Sequence, residues 1–125
     1  MNLNQIGKIA LPAEDLERAV AFYRDTLGMR FLFQVPPGLA FFECGGVRLM
    51  IDGIKERELK DPFSPIIYYK VPDINAAYED LSTRGVTFHS KPHLIAKMPD
   101  HELWMAFLYD TEKNLIGLMS EVRPA

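Results

Sequence analysis

The chain writes one pattern twice. Residues 9–28, IALPAEDLERAVAFYRDTLG, and residues 67–86, IYYKVPDINAAYEDLSTRGV, share an order of parts: a β-rich run, a proline and an acid, a helical stripe, and a glycine. An offset of 58 residues sets Asp15 on Asp73, Leu16 on Ile74, Ala19 on Ala77, Val20 on Tyr78 and Tyr23 on Leu81. The second helix is one residue shorter, so Gly28 answers Gly85. Asp15 and Asp73 are expected N-caps, because a carboxylate accepts the orphan amides of a first turn. The two glycines are expected to stop the helices in the left-handed conformation.

Apolar, β-prone runs follow each helix. The first half supplies Arg30–Gln34, Leu39–Cys44 and Val47–Ile51, with Gly45-Gly46 as a hairpin signal. The second half supplies Val86–Ser90, with an extension toward Ala96, then Leu103–Tyr109 and Leu115–Val122, with Asp110–Asn114 as the matching turn. Each half is therefore βαβββ: module one over about 4–52, a charged, proline-bearing linker over about 53–65, and module two over about 66–123. A four-stranded sheet with one helix buries one face. Two copies side by side predict an α+β domain spanning residues 1–125: an eight-stranded, U-shaped mixed sheet around a concave cleft, with both helices on the outer face.

Composition narrows the function classes. The net charge of −3 argues against nucleic acid. Cys44 is the only cysteine, so no disulfide framework or cysteine-rich zinc motif exists, which fits a reducing cytoplasm. No apolar stretch is long enough to span a membrane, and the N-terminal residues are not expected to act as a signal peptide.

The segment KIALPAEDLERAVAFYRDTLG, the Gly-Gly hairpin, and a turn reading Asp110-Thr111-Glu112-Lys113-Asn114 together resemble the vicinal oxygen chelate superfamily. That group includes glyoxalase I, extradiol dioxygenases, methylmalonyl-CoA epimerase and the fosfomycin and bleomycin resistance proteins. The resemblance covers nearly the whole chain and is specific for the fold. It is weak for the reaction, because one fold hosts many chemistries. In metal-using members, His, Gln or Glu ligands come from the first and last strands of each module. The positions that match are Lys8, Met50, Ile66 and Gly117. None is an ordinary ligand for a hard divalent cation, and a thioether prefers soft copper. Glu121 lies four residues past Gly117, about 13 Å along a strand, too far to substitute.

Strand alternation turns Lys8, Arg48, Met50, Ile66, Tyr68, Gly117 and Met119 toward the cleft. The expected pocket is apolar with a few polar groups, suited to an organic molecule with an anionic end. Lys8 and Arg48 alternatively sit at the rim and snorkel to water. An enclosed Lys8 would have a lowered pKa and serve as a base.

All three histidines fall in FHSKPHLIAKMPDHELWM. His93, His101 and Glu102 are the candidates for a displaced metal site or catalytic set. The long PHLIAKMPDHELW stretch, with Trp104, is either a lid over the ligand or an extended hairpin. Pro92 and Pro99 are expected to break this region into strand and loop. Cys44 is read as packing, and Phe31, Phe33, Phe41 and Phe42 as core or dimer surface.

Two function classes follow. The first is a ligand-binding protein of the bleomycin-resistance kind, a homodimer without a cofactor. The second is a lyase, isomerase or dioxygenase whose divalent metal (Zn, Ni, Fe or Mn) is held by His93, His101 and Glu102.

Overall fold

Hydrogen bonding in the computed structural model closes two sheets of four strands; residues 1–54 and 65–124 are described. The chain divides into two compact units, Met1–Asp61 and Pro62–Ala125. The first holds β1 (Lys8–Pro12), α1 (Leu16–Ala21), β2 (Arg30–Val35), β3 (Leu39–Cys44) and β4 (Val47–Asp52). The second holds β5 (Ile67–Lys70), α2 (Ile74–Thr83), β6 (Phe88–Lys97), β7 (Glu102–Tyr109) and β8 (Leu115–Val122). Most of the linker expected over 53–65 lies outside the described residues.

The sheet orders are β1-β4-β3-β2 and β5-β8-β7-β6, so the repeat in the sequence is a repeat in topology. The first and last strands of each module run parallel, and the other pairs are antiparallel. Registers repeat too: Ala10 pairs with Met50, and Tyr68 pairs with Gly117. The strand-to-helix connection is tied by one bond in both copies. The Ala13 amide donates to the Asp52 carbonyl at 2.8 Å, and the Val71 amide donates to the Met119 carbonyl at 2.8 Å.

Both helices start as their sequences dictate. Asp15 accepts from the Arg18 amide at 3.1 Å, and Asp73 accepts from the Asn75 and Ala76 amides, each at 3.1 Å. Gly28 and Gly85 take φ of 72° and 87°, the left-handed exit that glycine adopts without a Cβ clash. The first helix departs from the simple 3.6-residue stripe. After Ala21 it widens into a π-helical turn, Phe22–Thr26. The wider turn points two successive aromatics inward, so Phe22 and Tyr23 are both buried while Arg24 stays exposed and pairs with Asp25. Tyr23 packs against Phe42, which also meets Phe31, forming the aromatic centre of the first core. Ile74, Ala106, Leu108, Ile116 and Leu118 form the second core.

The histidine segment corrects an expectation. Pro92 does not break the chain into a loop or lid; β6 runs through it to Lys97. Strand β6 lies at a sheet edge, and its register shifts between Ser90 and His93. An edge bulge is where a strand tolerates a residue without an amide hydrogen. The connection that remains is the short turn between β6 and β7.

Candidate functional site

Among the described residues, each module packs its own helix against one face of its sheet, and the other face carries no helix of that module. In module one the helix covers Leu11, Ala40, Phe42, Leu49 and Ile51, all buried. Alternation places Lys8, Ala10, Arg48, Met50 and Phe41 on the opposite face. Phe33 pairs with Phe41 there, and their rings stack at 4.9 Å. The Arg48 guanidinium lies 5.6 Å from the Phe33 ring centre, a cation–π contact of about 0.5–1 kcal/mol at an exposed site. Met50 is buried, whereas Lys8 and Arg48 are exposed. The enclosure that a lysine base requires is therefore absent at Lys8.

In module two the helix-free face is built in rows. Tyr68, Gly117 and Phe107 form the first. The Tyr68 ring occupies the space above Gly117: a Cβ on Gly117 would meet Tyr68 Cδ2 at 2.5 Å and Cε2 at 2.8 Å. The same ring meets Phe107 edge-on at 5.8 Å. Lys70, Met119, Met105 and His93 form the second row. Glu121, Leu103 and Ala96 form the third, with Glu121 paired to Lys70 at 3.6 Å. Ile66 immediately precedes β5 and is exposed. The four positions matched to the family's ligands thus present an ammonium, a thioether, a hydrocarbon and a bare Cα beneath a tyrosine ring. That set does not suit a hard divalent cation.

The alternative set is not assembled. His93 sits mid-strand opposite Met105, and its Nδ1 lies 2.9 Å from the Lys91 carbonyl. His101 stands in the β6–β7 turn with Nδ1 2.7 Å from Asp100. Glu102 pairs with Lys97 and accepts from the Trp104 indole at 3.2 Å. No three His, Cys, Asp or Glu side chains among the described residues cluster closely enough to hold a metal ion. Trp104 also leaves the ligand-facing set. It pairs with the buried Ser120, on the helix-bearing face, because its parity is opposite to that of Met105.

Phe33, Phe41, Met105 and Phe107 were not singled out as ligand-facing residues. For Phe41 the signal lay in the turn, where Gly45 and Gly46, both with positive φ, close a two-residue hairpin that fixes it opposite Met50; for Met105 and Phe107 it lay in the turn after Tyr109, which sets them opposite Met119 and Gly117. Cys44 is half-buried; desolvation, helped by the Glu43 charge, pushes its thiol pKa up. Such a thiol is a poor nucleophile.

The end of module two carries an exposed ionic network. Asp100 accepts from Arg123 at 2.7 Å, and Arg123 also reaches Glu121 at 2.9 Å. The hydrogen bond from Arg123 and then that from His101 hold the Asp100 carboxyl at about 2. Its folded pKa is depressed, so the contribution of Asp100 to stability is present above the ordinary carboxylate value and lost as pH falls through about 2. A carboxyl NMR titration is expected to place the Asp100 midpoint near 2, and Arg123→Ala is expected to move it upward. An unmoved midpoint in that variant contradicts the assignment of the cause.

The family model that describes the Glyoxalase/Bleomycin resistance protein/Dioxygenase superfamily matches residues 5–118. The chain belongs to this superfamily. Superfamily membership accounts for the paired βαβββ modules. A glyoxylase-like domain-containing protein of Didymella fabae is 30% identical over 118 residues, covering 88% of each chain. Among solved structures of the superfamily fold, a lactoylglutathione lyase from Agrobacterium tumefaciens matches with a TM-score of 0.77, 20% identity and 95% coverage of both chains. An antibiotic binding protein from Streptomyces sp. CB03234 matches with a TM-score of 0.74 and 22% identity, covering 97% of this chain and 98% of that one. Identities this low carry the fold and not the reaction.

Proposed function

We propose that this superfamily member binds a small organic molecule on the helix-free faces of its sheets, without a divalent metal at the family's usual positions. One observation carries the reading. Where the superfamily would place hard ligands, this chain has Lys8, Met50, Ile66 and Gly117, and the side chains paired with them are Arg48 beside Lys8, Ala10 and Phe41 beside Met50, and Tyr68 and Phe107 beside Gly117. Phe33 with Phe41, and Tyr68 with Phe107, offer ring surfaces to an apolar body. Lys8 and Arg48, cross-strand partners on one face, offer two cations to an anionic end. The fold is compatible with such a role, since an antibiotic binding protein shares it, as does a lactoylglutathione lyase. Homodimer formation belongs to the same proposal, and sedimentation equilibrium reads it directly.

The test uses anilinonaphthalene sulfonate, an aromatic anion that fluoresces on apolar surfaces. The wild-type protein is expected to bind it and to melt at a higher temperature in its presence. The Lys8→Ala/Arg48→Ala variant is expected to bind about ten-fold more weakly, the loss of roughly one charge-assisted contact. Metal analysis of the purified protein completes the experiment. Unchanged dye binding in the double variant, with a stoichiometric divalent metal that His93→Ala and His101→Ala remove, would instead establish the metal-dependent enzyme.

A further inference from the structure

The second row of module two has a chemistry that the organic-ligand proposal does not use. Met105 pairs with Met119 across β7 and β8, and with His93 across β6 and β7. Directly paired residues share a face, with Cβ atoms about 4.5–5.5 Å apart. Three soft or borderline donors therefore stand side by side on three adjacent strands, on the face that carries no helix. Both methionines are half-buried and His93 is exposed, so the row is accessible from one side.

The histidine is already posed for ligation. Its Nδ1 lies 2.9 Å from the Lys91 carbonyl, which accepts only from an N–H. That contact fixes the proton on Nδ1 and leaves the Nε2 lone pair available. Metal-bound histidines are oriented in the same way, by a backbone carbonyl or carboxylate on the other ring nitrogen. Thioethers are flexible, polarizable donors that select monovalent soft cations over zinc, iron or manganese. The nearest like charge in the row is Lys70, which is drawn toward Glu121 at 3.6 Å.

We infer that His93, Met105 and Met119 form a trigonal site for a soft monovalent cation, copper(I) or silver(I). The site stands on its own row of residues and does not depend on the organic-ligand reading.

The experiment uses full-length protein carrying Cys44→Ser, which removes the competing thiol in module one. Silver(I), which needs no reductant, is added to protein labelled at the methionine methyl groups. One equivalent is expected to move the Met105 and Met119 resonances together and to leave those of Met29 and Met98 in place. Copper(I) competition against a chromophoric chelator under a reductant then gives the affinity. His93→Ala, Met105→Leu and Met119→Leu are each expected to weaken binding about ten-fold or more, whereas Met98→Leu does not. Leucine conserves the methionine volume, so the folded state is retained, and a thermal melt confirms it. Unmoved Met105 and Met119 resonances, or an unchanged affinity in the Met105→Leu/Met119→Leu variant, would overturn the site.

Discussion

Asp110→Ala is expected to cost about 2–4 kcal/mol, lowering the melting temperature by roughly 10 °C for a domain of this length. Asp110 is 6% exposed and opens the turn between β7 and β8. Its Oδ1 accepts from the Glu112 and Asn114 amides, each at 2.8 Å, and its Oδ2 accepts from the Asn114 side-chain amide at 2.8 Å. The Asp110 amide in turn donates to the Asn114 carbonyl at 3.0 Å, closing the loop. Alanine leaves two backbone donors without their carboxylate in a turn that water reaches poorly. Each such donor costs about 1–3 kcal/mol. Asp110→Asn keeps an acceptor and removes the charge, so a smaller loss is expected. Chemical denaturation of the three proteins reads the order directly, and a loss below about 0.5 kcal/mol for alanine would refute the account.

This turn also shows what a sequence reveals and what it hides. Its position was legible from Asp110 and Asn114, whose side chains favour turns. Its backbone was not, because Lys113 takes φ of 71°, a left-handed conformation usually given to glycine. The capping aspartates, the terminating glycines and the Gly45-Gly46 hairpin were legible because each acts through local geometry, independent of what packs above it. The π-helical turn after Ala21 was hidden for the converse reason. Phe22, Tyr23 and Arg24 fit an ordinary helix in sequence, and only the packing of both aromatics into one core selects the wider turn.

The sheet face of each candidate residue was legible where a two-residue parity and a repeat fixed it, as for Lys8, Arg48, Met50, Tyr68, Gly117 and Met119. Legibility failed where the register depends on a bulge. Proline at position 92 suggested a break, whereas an edge strand with a shifted register accommodates it, and β6 continues. That continuation strings His93, His101 and Glu102 along strand and turn instead of gathering them, and it sets His93 beside Met105. Trp104 illustrates the sharper hazard: one residue of parity separates it from Met105 and puts it on the other face.

Gly117 and Tyr68 are expected to behave as a coupled pair. Gly117→Ala introduces a Cβ that meets Tyr68 Cδ2 at 2.5 Å, Cε2 at 2.8 Å and Cγ at 3.2 Å. Contacts below about 3.0 Å do not persist, so the ring must leave its place. It then surrenders its edge-on contact with Phe107 at 5.8 Å. Overpacking of this kind costs about 1–3 kcal/mol, and the 44% exposure of Tyr68 gives the ring an exit that holds the value to the lower half. Tyr68→Ala empties the space that the new methyl needs. The Gly117→Ala change is therefore expected to cost about 1–2 kcal/mol in the presence of Tyr68 and roughly nothing in its absence, a coupling that a double-mutant cycle measures. Additive costs would mean that the ring and the glycine do not share the space. The same cycle bears on function. A side chain at position 117 has to displace Tyr68 before it can reach any ligand, so Gly117→His alone is expected to bind no divalent metal, while Gly117→His/Tyr68→Ala gives the new imidazole room. On the proposed reading the Tyr68 ring is part of the ligand's apolar surface, so dye affinity is expected to fall in the Tyr68→Ala protein.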